Sequence, residues 1–345
     1  MPTSLVIQTS FLGDTVLTTP LLAELARRGP VDVVVTKASA PLLAHDPSVR
    51  HVIVFDKTGA DRGADGLVRV ARRVRETWRE HGDDPRRAHA YLAQSSLRSA
   101  ILALIARTAV RTGFDDAPGR FLYTARVPRR DTDHHAARLL SLADGLPASA
   151  RDTPVTPRLY PGGDDRIAVD ALIASQPSDL PLLALAPGSI WGTKRWPYYV
   201  DLAKALASRY RIAIIGGTDD ADAARDIARA AGPETINATG RLTILASAEL
   251  IRRAAILVTN DSLPQHLASA VGTPTVTIFG PTVPEFGFGP LAPRSMTLGV
   301  ESLECRPCHI HGPRVCPLGH WRCMKELDVG RVESAVELIA AAAAH

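Results

Sequence analysis

Ser10-Phe11-Leu12-Gly13-Asp14 follows the apolar run Leu5-Val6-Ile7 and precedes Val16-Leu17-Thr18-Thr19-Pro20-Leu21-Leu22. The first run reads as a buried strand and the last as a helix, so Asp14 falls where a strand turns into a helix. Ligands of open α/β sheets bind at the carboxyl ends of strands. Gly13 permits a tight turn and the close approach of a substrate. A carboxylate here either caps the helix or takes a proton from a substrate, and the residues alone leave both roles open.

Outward from that turn, apolar strands alternate with helical stretches. Strands are expected at 5–9, 31–36, 51–55, 88–93, 109–112 and 122–127, and helices at 15–28, 67–80, 96–106 and 134–143. This alternation predicts βαβ units and a mostly parallel sheet. Periodicity is lost over 147–163, which is rich in Pro, Gly, Ala and Asp as a linker is. After a helix at 165–175 a second series begins, with strands at 182–186, 212–215, 235–237, 255–258 and 275–279. Its helices are expected at 197–208, 219–231, 243–253 and 263–271. A chain of 345 residues exceeds what one hydrophobic core usually holds. The expectation is therefore an α/β protein of two Rossmann-like, doubly wound domains facing across a cleft. The first spans 1–160 and the second 176–328, with a Cys-rich loop at 301–325. An Ala-rich helix within 329–345 is expected to pack back across the lobes.

Composition narrows the function. The formal net charge is +4, carried largely by Arg, which suits acidic or phosphorylated substrates or an anionic membrane surface. No dense basic stripe is interleaved with aromatics, so nucleic acid is not expected as a partner. The chain enters a core strand almost at once, and the apolar helical runs 100–106 and 335–344 are too short to span a bilayer. A cytoplasmic protein, soluble or peripheral at the inner membrane, is the expectation. Neither half carries G-x-G-x-x-G after its first strand, nor is there a G-x-x-x-x-G-K-[ST] loop, which argues against nicotinamide dehydrogenases and P-loop NTPases.

Two further turns carry chemistry. Ala186-Pro187-Gly188-Ser189-Ile190-Trp191-Gly192-Thr193-Lys194-Arg195-Trp196-Pro197 runs from a strand end through a Gly-containing loop to a helix start expected at Pro197. It gathers Ser189, Thr193, Lys194 and Arg195 beside free N–H groups and a helix dipole, a setting that favours a phosphate. Asn260-Asp261-Ser262-Leu263-Pro264-Gln265-His266 repeats the strand-to-helix layout of Asp14. Asp261 or Ser262 fits an ordinary N-cap, while the N–H groups that follow, with His266, fit a pyrophosphate.

Taken together these stretches resemble the ADP-heptose:lipopolysaccharide heptosyltransferases, glycosyltransferase family 9. The resemblance runs through Ser10–Asp14, Thr18-Thr19-Pro20-Leu21, Ser95-Ser96-Leu97-Arg98-Ser99-Ala100 and Arg111-Thr112-Gly113-Phe114. It continues through Pro187-Gly188-Ser189, Lys194-Arg195-Trp196-Pro197, Asn260-Asp261-Ser262 with His266, Gly280-Pro281-Thr282, and the Cys305–Met324 tail, which looks most like the heptosyltransferase II branch. It implies a GT-B fold with an acceptor-binding N-terminal domain and a nucleotide-sugar-binding C-terminal domain. The implied reaction is an inverting transfer of heptose from ADP-heptose to a sugar of the lipopolysaccharide inner core. Asp14 then falls on the position of the catalytic base. Ser189, Thr193, Lys194, Asp219, Asp261, Ser262, Leu263 and His266 fall on the donor side, and no metal or other cofactor is expected for catalysis. On the acceptor side Gly13, Arg98 and Arg120 are the candidates, with Arg111 as a further arginine for a phosphate or carboxylate. Where many family members carry Gly after Asp-Ser/Thr, this chain has Leu263 and then Pro264, which offers no N–H.

All four cysteines, Cys305, Cys308, Cys316 and Cys323, lie in one segment with His309, His311 and His320. Three readings compete: a structural zinc ion, reduced thiols packing an irregular loop, and a redox pair. Arg306, Arg314 and Arg322 read either as surface charge or as help in binding an anionic acceptor, and the arginines of 69–79 either as a solvated face or as a contact for anionic lipid. The rival functions are a GT-B transferase with another donor or acceptor, and a non-catalytic nucleotide- or glycolipid-binding protein.

Overall fold

The computed structural model describes residues 2–150 and 155–342. Part of the expected linker, 151–154, and the end of the expected terminal helix lie outside the described residues. The chain divides into two compact units after Tyr160.

The first unit holds strands β1 Ser4–Gln8, β2 Val31–Thr36, β3 His51–Phe55, β4 His89–Leu92, β5 Val110–Phe114 and β6 Ala125–Val127. Its helices are α1 Leu12–Ala26, α2 Gly63–Glu80, α3 Leu97–Ile105 and α4 His135–Ser141. The strands are all parallel, in the order β3-β2-β1-β4-β5-β6, with Val6 opposite Val33 on one side and Tyr91 on the other. β1 is buried at all five positions, because helices cover both faces of such a sheet and its strands read as unbroken apolar runs. α2 is amphipathic: Leu67, Val70, Ala71, Val74 and Trp78 turn inward at helical spacing while its arginines stay outside. The buried Trp78 indole N–H donates to Asp32 at 2.8 Å, and Arg50 grips the same carboxylate with two hydrogen bonds of 3.0 and 2.6 Å.

The second unit repeats the design. Its strands are β7 Leu182–Ala186, β8 Arg211–Ile214, β9 Ile236–Asn237, β10 Ile256–Asn260, β11 Thr275–Ile278 and β12 Met296–Leu298. They are parallel in the order β12-β11-β10-β7-β8-β9. The helices are α5 Gly163–Ala174, α6 Tyr199–Leu206, α7 Ala221–Ala231, α8 Ile244–Arg253, α9 Leu263–Val271, α10 Arg322–Lys325 and α11 Val329–Ala341. In each sheet the order reverses between two central strands, β1 and β4 in one, β7 and β10 in the other. Connections leave such a switch point in opposite directions and open a crevice at the carboxyl ends.

Several elements differ from expectation. β12 has no sequence signal, since it is three half-exposed residues on a sheet edge. α6 starts at Tyr199, so Pro197 precedes the helix and does not occupy its first turn. α5 belongs to the second unit, tied by the Thr243 hydroxyl donating to Asp165 at 2.6 Å. The buried face of α11, namely Val332, Ala335, Val336 and Ile339, lies in the second unit's core with Leu202, Leu206 and Val276. Replacing Ile339 with Ala is expected to cost about 2–5 kcal/mol of stability, whereas Leu338→Ala should stay within about 0.5 kcal/mol. Ile339 is 3% exposed and Leu338 61%. Urea unfolding of the two variants checks the difference.

Candidate active site

The candidate site of the first unit is the turn from β1 into α1. Phe11 is the N-cap of α1, and Asp14 stands three positions on. Asp14 Oδ2 accepts from the Phe11 N–H at 3.2 Å, while Oδ1 lies 3.3 Å from His135 Nε2. The two roles left open by the sequence are thus divided between two oxygens: one caps the helix, and the other faces the first residue of α4. Burial pushes the Asp14 carboxyl up, but the hydrogen bond and charge of His135, with the Ser10 hydroxyl and the Phe11 N–H, outweigh it and hold the group below the ordinary aspartate value. Asp14 is therefore an anion at neutral pH. Lys57, at the end of β3, donates to the Thr9 carbonyl at 2.7 Å and adds a cation to the same edge.

Gly13 lies inside the first turn of α1 and is not a positive-φ glycine, so the tight turn expected of it is not used. Arg98, on the first turn of α3, and Arg120, opening the 3-10 turn Arg120–Leu122, are both exposed. The two segments pack closely, since a Cβ on Gly119 would come within 2.7 Å of Ala100 Cβ. Arg111 is committed to the fold: it donates to the carbonyls of Leu122 and Thr108 at 2.8 and 2.7 Å.

The candidate site of the second unit sits at the switch point of its own sheet. After β7 come Pro187-Gly188-Ser189 and the 3-10 turn Gly192–Lys194; after β10 comes Asp261, with Ser262 as the extended N-cap of α9. Asn260 ties the two, donating to the Pro187 carbonyl at 2.8 Å and accepting from the Trp196 N–H at 3.2 Å. Lys194 Nζ lies 2.5 Å from Asp261 Oδ2, and both residues are buried. The same oxygen accepts from the Thr282 hydroxyl at 2.6 Å, and Oδ1 accepts from Gln265 Nε2 at 2.8 Å. Asp261 is thus saturated by the protein, so what it can do for an anionic ligand is hold Lys194 in place. The Ser262 hydroxyl gives α9 no capping bond and reaches instead toward the Gly188 carbonyl at 3.4 Å. Ser189 Oγ accepts from the Trp191 N–H at 3.2 Å. His266 is buried in the first turns of α9. Leu263 occupies the first position of α9, half-buried, where the helix does not require glycine.

Asp219 is exposed. Its neighbour Asp220 faces the loop: it accepts from the Gly217 N–H at 3.1 Å, pairs with Arg195 at 3.3 Å, and would lie 2.3 Å from a Cβ on Gly188. A side chain at 188 would push the Asp220 carboxylate from its place beside Arg195 and the Gly217 N–H. Thr193 gives its hydroxyl to the Pro313 carbonyl, so that side chain anchors the loop.

The matched family model is glycosyltransferase family 9 (heptosyltransferase), over residues 87–319. The chain belongs to glycosyltransferase family 9. The family 9 chain is 30% identical to lipopolysaccharide heptosyltransferase 2 of Salmonella typhimurium over 82% of its own length and 84% of that protein's. Among solved structures, a glycosyl transferase family 9 protein of Veillonella parvula superposes with a TM-score of 0.83 at 23% identity, covering 98% of this chain and 97% of that one. The E. coli ADP-heptose lps heptosyltransferase II gives a TM-score of 0.79 at 24% identity over 100% of each chain. The two six-stranded α/β units are thus the GT-B-like architecture of known heptosyltransferases.

In this family 9 glycosyltransferase the Cys-rich segment packs on the loop that carries Lys194. Besides the Thr193–Pro313 bond, a Cβ on Gly192 would come within 2.4 Å of the Arg314 carbonyl, Trp191 stacks with His311 at 6.2 Å, and the Cys308 N–H donates to Pro281 at 3.0 Å. Arg306, read from sequence as surface charge, donates to the carbonyls of Gly280, Val300 and Thr282 at 2.7, 3.0 and 3.2 Å and braces the segment. Cys305 Sγ is 3.8 Å from His320 Nε2. Burial and the neighbouring thiols push Cys323 up to about 11, whereas at Cys316 burial is outweighed by four backbone N–H groups from Leu318 to Trp321 and the thiol is lowered. Among the described residues no group of three or more Cys, His, Asp or Glu is arranged to hold a metal ion, so the structural-zinc reading gains no support. Nor is any described helix long and apolar enough to cross a membrane.

His135, Lys57, Asp220, Gln265 and Thr282 are site residues that sequence reasoning missed. His135 directly follows the His134 N-cap, so the doubled histidine was the available signal; Thr282 stands inside a quoted motif but was assigned no role. Replacing His135 with Asn removes the largest influences that lower Asp14 and leaves burial, which raises it. The Asp14 carboxyl is then expected to titrate at higher pH, as followed by its side-chain carbon resonance.

Proposed function

We propose that this glycosyltransferase is a type II heptosyltransferase of lipopolysaccharide core biosynthesis. It would move heptose from ADP-L-glycero-D-manno-heptose to an inner-core sugar with inversion. The observation that carries the reading is the contrast between the two switch points. One presents an ionised carboxylate, the other a buried lysine held beside a helix N-terminus.

In this mechanism the acceptor hydroxyl oxygen attacks the anomeric carbon, the bond from that carbon to the ADP oxygen breaks, and ADP leaves with the electron pair. Asp14 Oδ1 receives the hydroxyl proton. A carboxylate held low is a weak base, so the transfer comes late, once bond formation has made the hydroxyl acidic. Charge on the departing diphosphate is met by Lys194, the Ser189 and Ser262 hydroxyls and the N–H of Leu263, an anion site of the helix-terminus type. These groups supply the positive potential, so the reaction is proposed to need no metal or other cofactor. His266 lies behind the same helix start, Thr193 anchors the loop, and Asp219 with Asp220 stands toward the nucleoside. Gly13 leaves room beside Asp14, and exposed Arg98 and Arg120 suit the phosphates of a lipid-linked acceptor. Such an acceptor and a soluble nucleotide sugar meet at the cytoplasmic face of the inner membrane, where we place the enzyme as a cytoplasmic, peripheral protein. Leu263 and Pro264 favour one second reading, a different nucleotide sugar, because Pro264 removes one N–H from the donor turn.

Replacing Asp14 with Asn is expected to lower kcat by about 10²–10⁴-fold while leaving ADP affinity within about twofold. Steady-state kinetics beside calorimetric ADP binding separates the effects, and normal turnover in Asp14→Asn would remove the base. Lys194→Gln is expected to do the reverse first, weakening ADP binding, since it deletes the cation that faces the diphosphate.

A further inference from the structure

Gln265 is the third residue of α9 and is fully buried. Its side-chain amide donates twice, to Asp261 Oδ1 at 2.8 Å and to the Phe288 carbonyl at 3.0 Å. A carbonyl and a carboxylate both only accept, so the amide orientation is forced: the NH2 group must lie between them. Oε1, on the other side, is buried with no donor in the structure. Leaving a buried acceptor unmet is costly, and here it accompanies two well-made bonds from the same amide. One of those bonds bears on the carboxylate that holds Lys194, and the other ties the amide to the backbone of the loop after β11.

We propose that Gln265 is a positioning residue for the donor diphosphate: by fixing Asp261 against rotation, it aims the Lys194 ammonium. The inference rests on the reading of Lys194 as a diphosphate ligand. Asp261 Oδ2 takes Lys194 and Thr282 and Oδ1 takes Gln265, so each oxygen has its own donors. A carboxylate pinned only at Oδ2 can swing about that oxygen and carry the ammonium with it. The Phe288 carbonyl fixes the amide in turn, linking the loop after β11 to the pair. The titratable groups at this point are Lys194 and Asp261 themselves, with His266 next on α9 and Arg195 with Asp220 beside the loop.

Two substitutions test this on the full chain. Gln265→Met keeps the volume and deletes both donors. Gln265→Glu places a carboxyl against Asp261, where two carboxylates cannot both ionise, so one proton is retained and the hydrogen bond persists until the pH is high. The first readout needs no nucleotide: acylation of lysines in the ligand-free protein, mapped by mass spectrometry, with Lys57 and Lys204 as internal standards. Gln265→Met is expected to raise Lys194 labelling several-fold over those lysines, and unchanged labelling overturns the inference. The second readout is ADP binding. Gln265→Met is expected to weaken it about tenfold at every pH, and Gln265→Glu to match the unmodified chain near pH 6 and fall about tenfold below it near pH 9. Equal ADP affinity in Gln265→Met, or a pH-independent ratio in Gln265→Glu, also overturns it. If Lys194 labelling rises but the unmodified chain does not bind ADP, the positioning role stands and the donor reading fails.

Discussion

A parallel sheet covered by helices on both faces has almost no place for a polar side chain except where its strands end. The central strands β1, β7 and β10 are apolar over most of their length, and where β2 buries a carboxylate, Asp32, the fold commits Arg50 and Trp78 to it; Asp14, Lys194 and Asp261 stand in the turns beyond strand carboxyl ends. The switch points at β1/β4 and β7/β10 are where those turns diverge. The candidate site residues follow that layout: Asp14 stands in one such turn, and Lys194 and Asp261 in the two that flank the other switch point. The glycine at 188 belongs to the same layout, since a Cβ there would displace the Asp220 carboxylate.

The charged groups at the two turns are handled differently. Asp14 is partly accessible, with side-chain exposure of 15%; one oxygen faces His135 and the other takes the Phe11 N–H. Lys194 and Asp261 are removed from water together. Burying an ion pair costs more desolvation than it commonly returns in attraction, so such a pair is poor evidence of a stabilising device. Here the cost is offset by Thr282 and Gln265, which complete the carboxylate, and what results is an ammonium with a fixed direction. The Cys-rich segment adds to that rigidity from outside. It holds the Lys194 loop through the Thr193 N–H and hydroxyl, which both donate to the Pro313 carbonyl, and through packing against Gly312.

Much of this was legible in the sequence because strand-to-helix turns announce themselves. Leu5-Val6-Ile7 followed by Gly13-Asp14, and Ile256-Leu257-Val258 followed by Asp261-Ser262, give strand, turn and helix within a few residues. The paired parallel sheets follow from that alternation, and the family resemblance assigns the turns. What escaped was long-range. His135 meets Asp14 across more than a hundred residues of sequence, and Thr282 meets Asp261 across a strand and a helix. Asp219 and Asp220 are adjacent in sequence, and only the backbone decides that the second faces Arg195 and Gly188. β12 escaped because three half-exposed edge residues carry no period.

The central proposal is that Asp14 takes the acceptor proton and the Lys194 turn receives the departing diphosphate. Incubating the purified protein with ADP-heptose and a core acceptor lacking the terminal heptose, and following both substrates by mass spectrometry and anomeric proton NMR, tests it most directly. The account predicts one heptose added per ADP released, with the anomeric configuration opposite to that of the donor. Donor binding without transfer, or a product that keeps the donor's configuration, would contradict it.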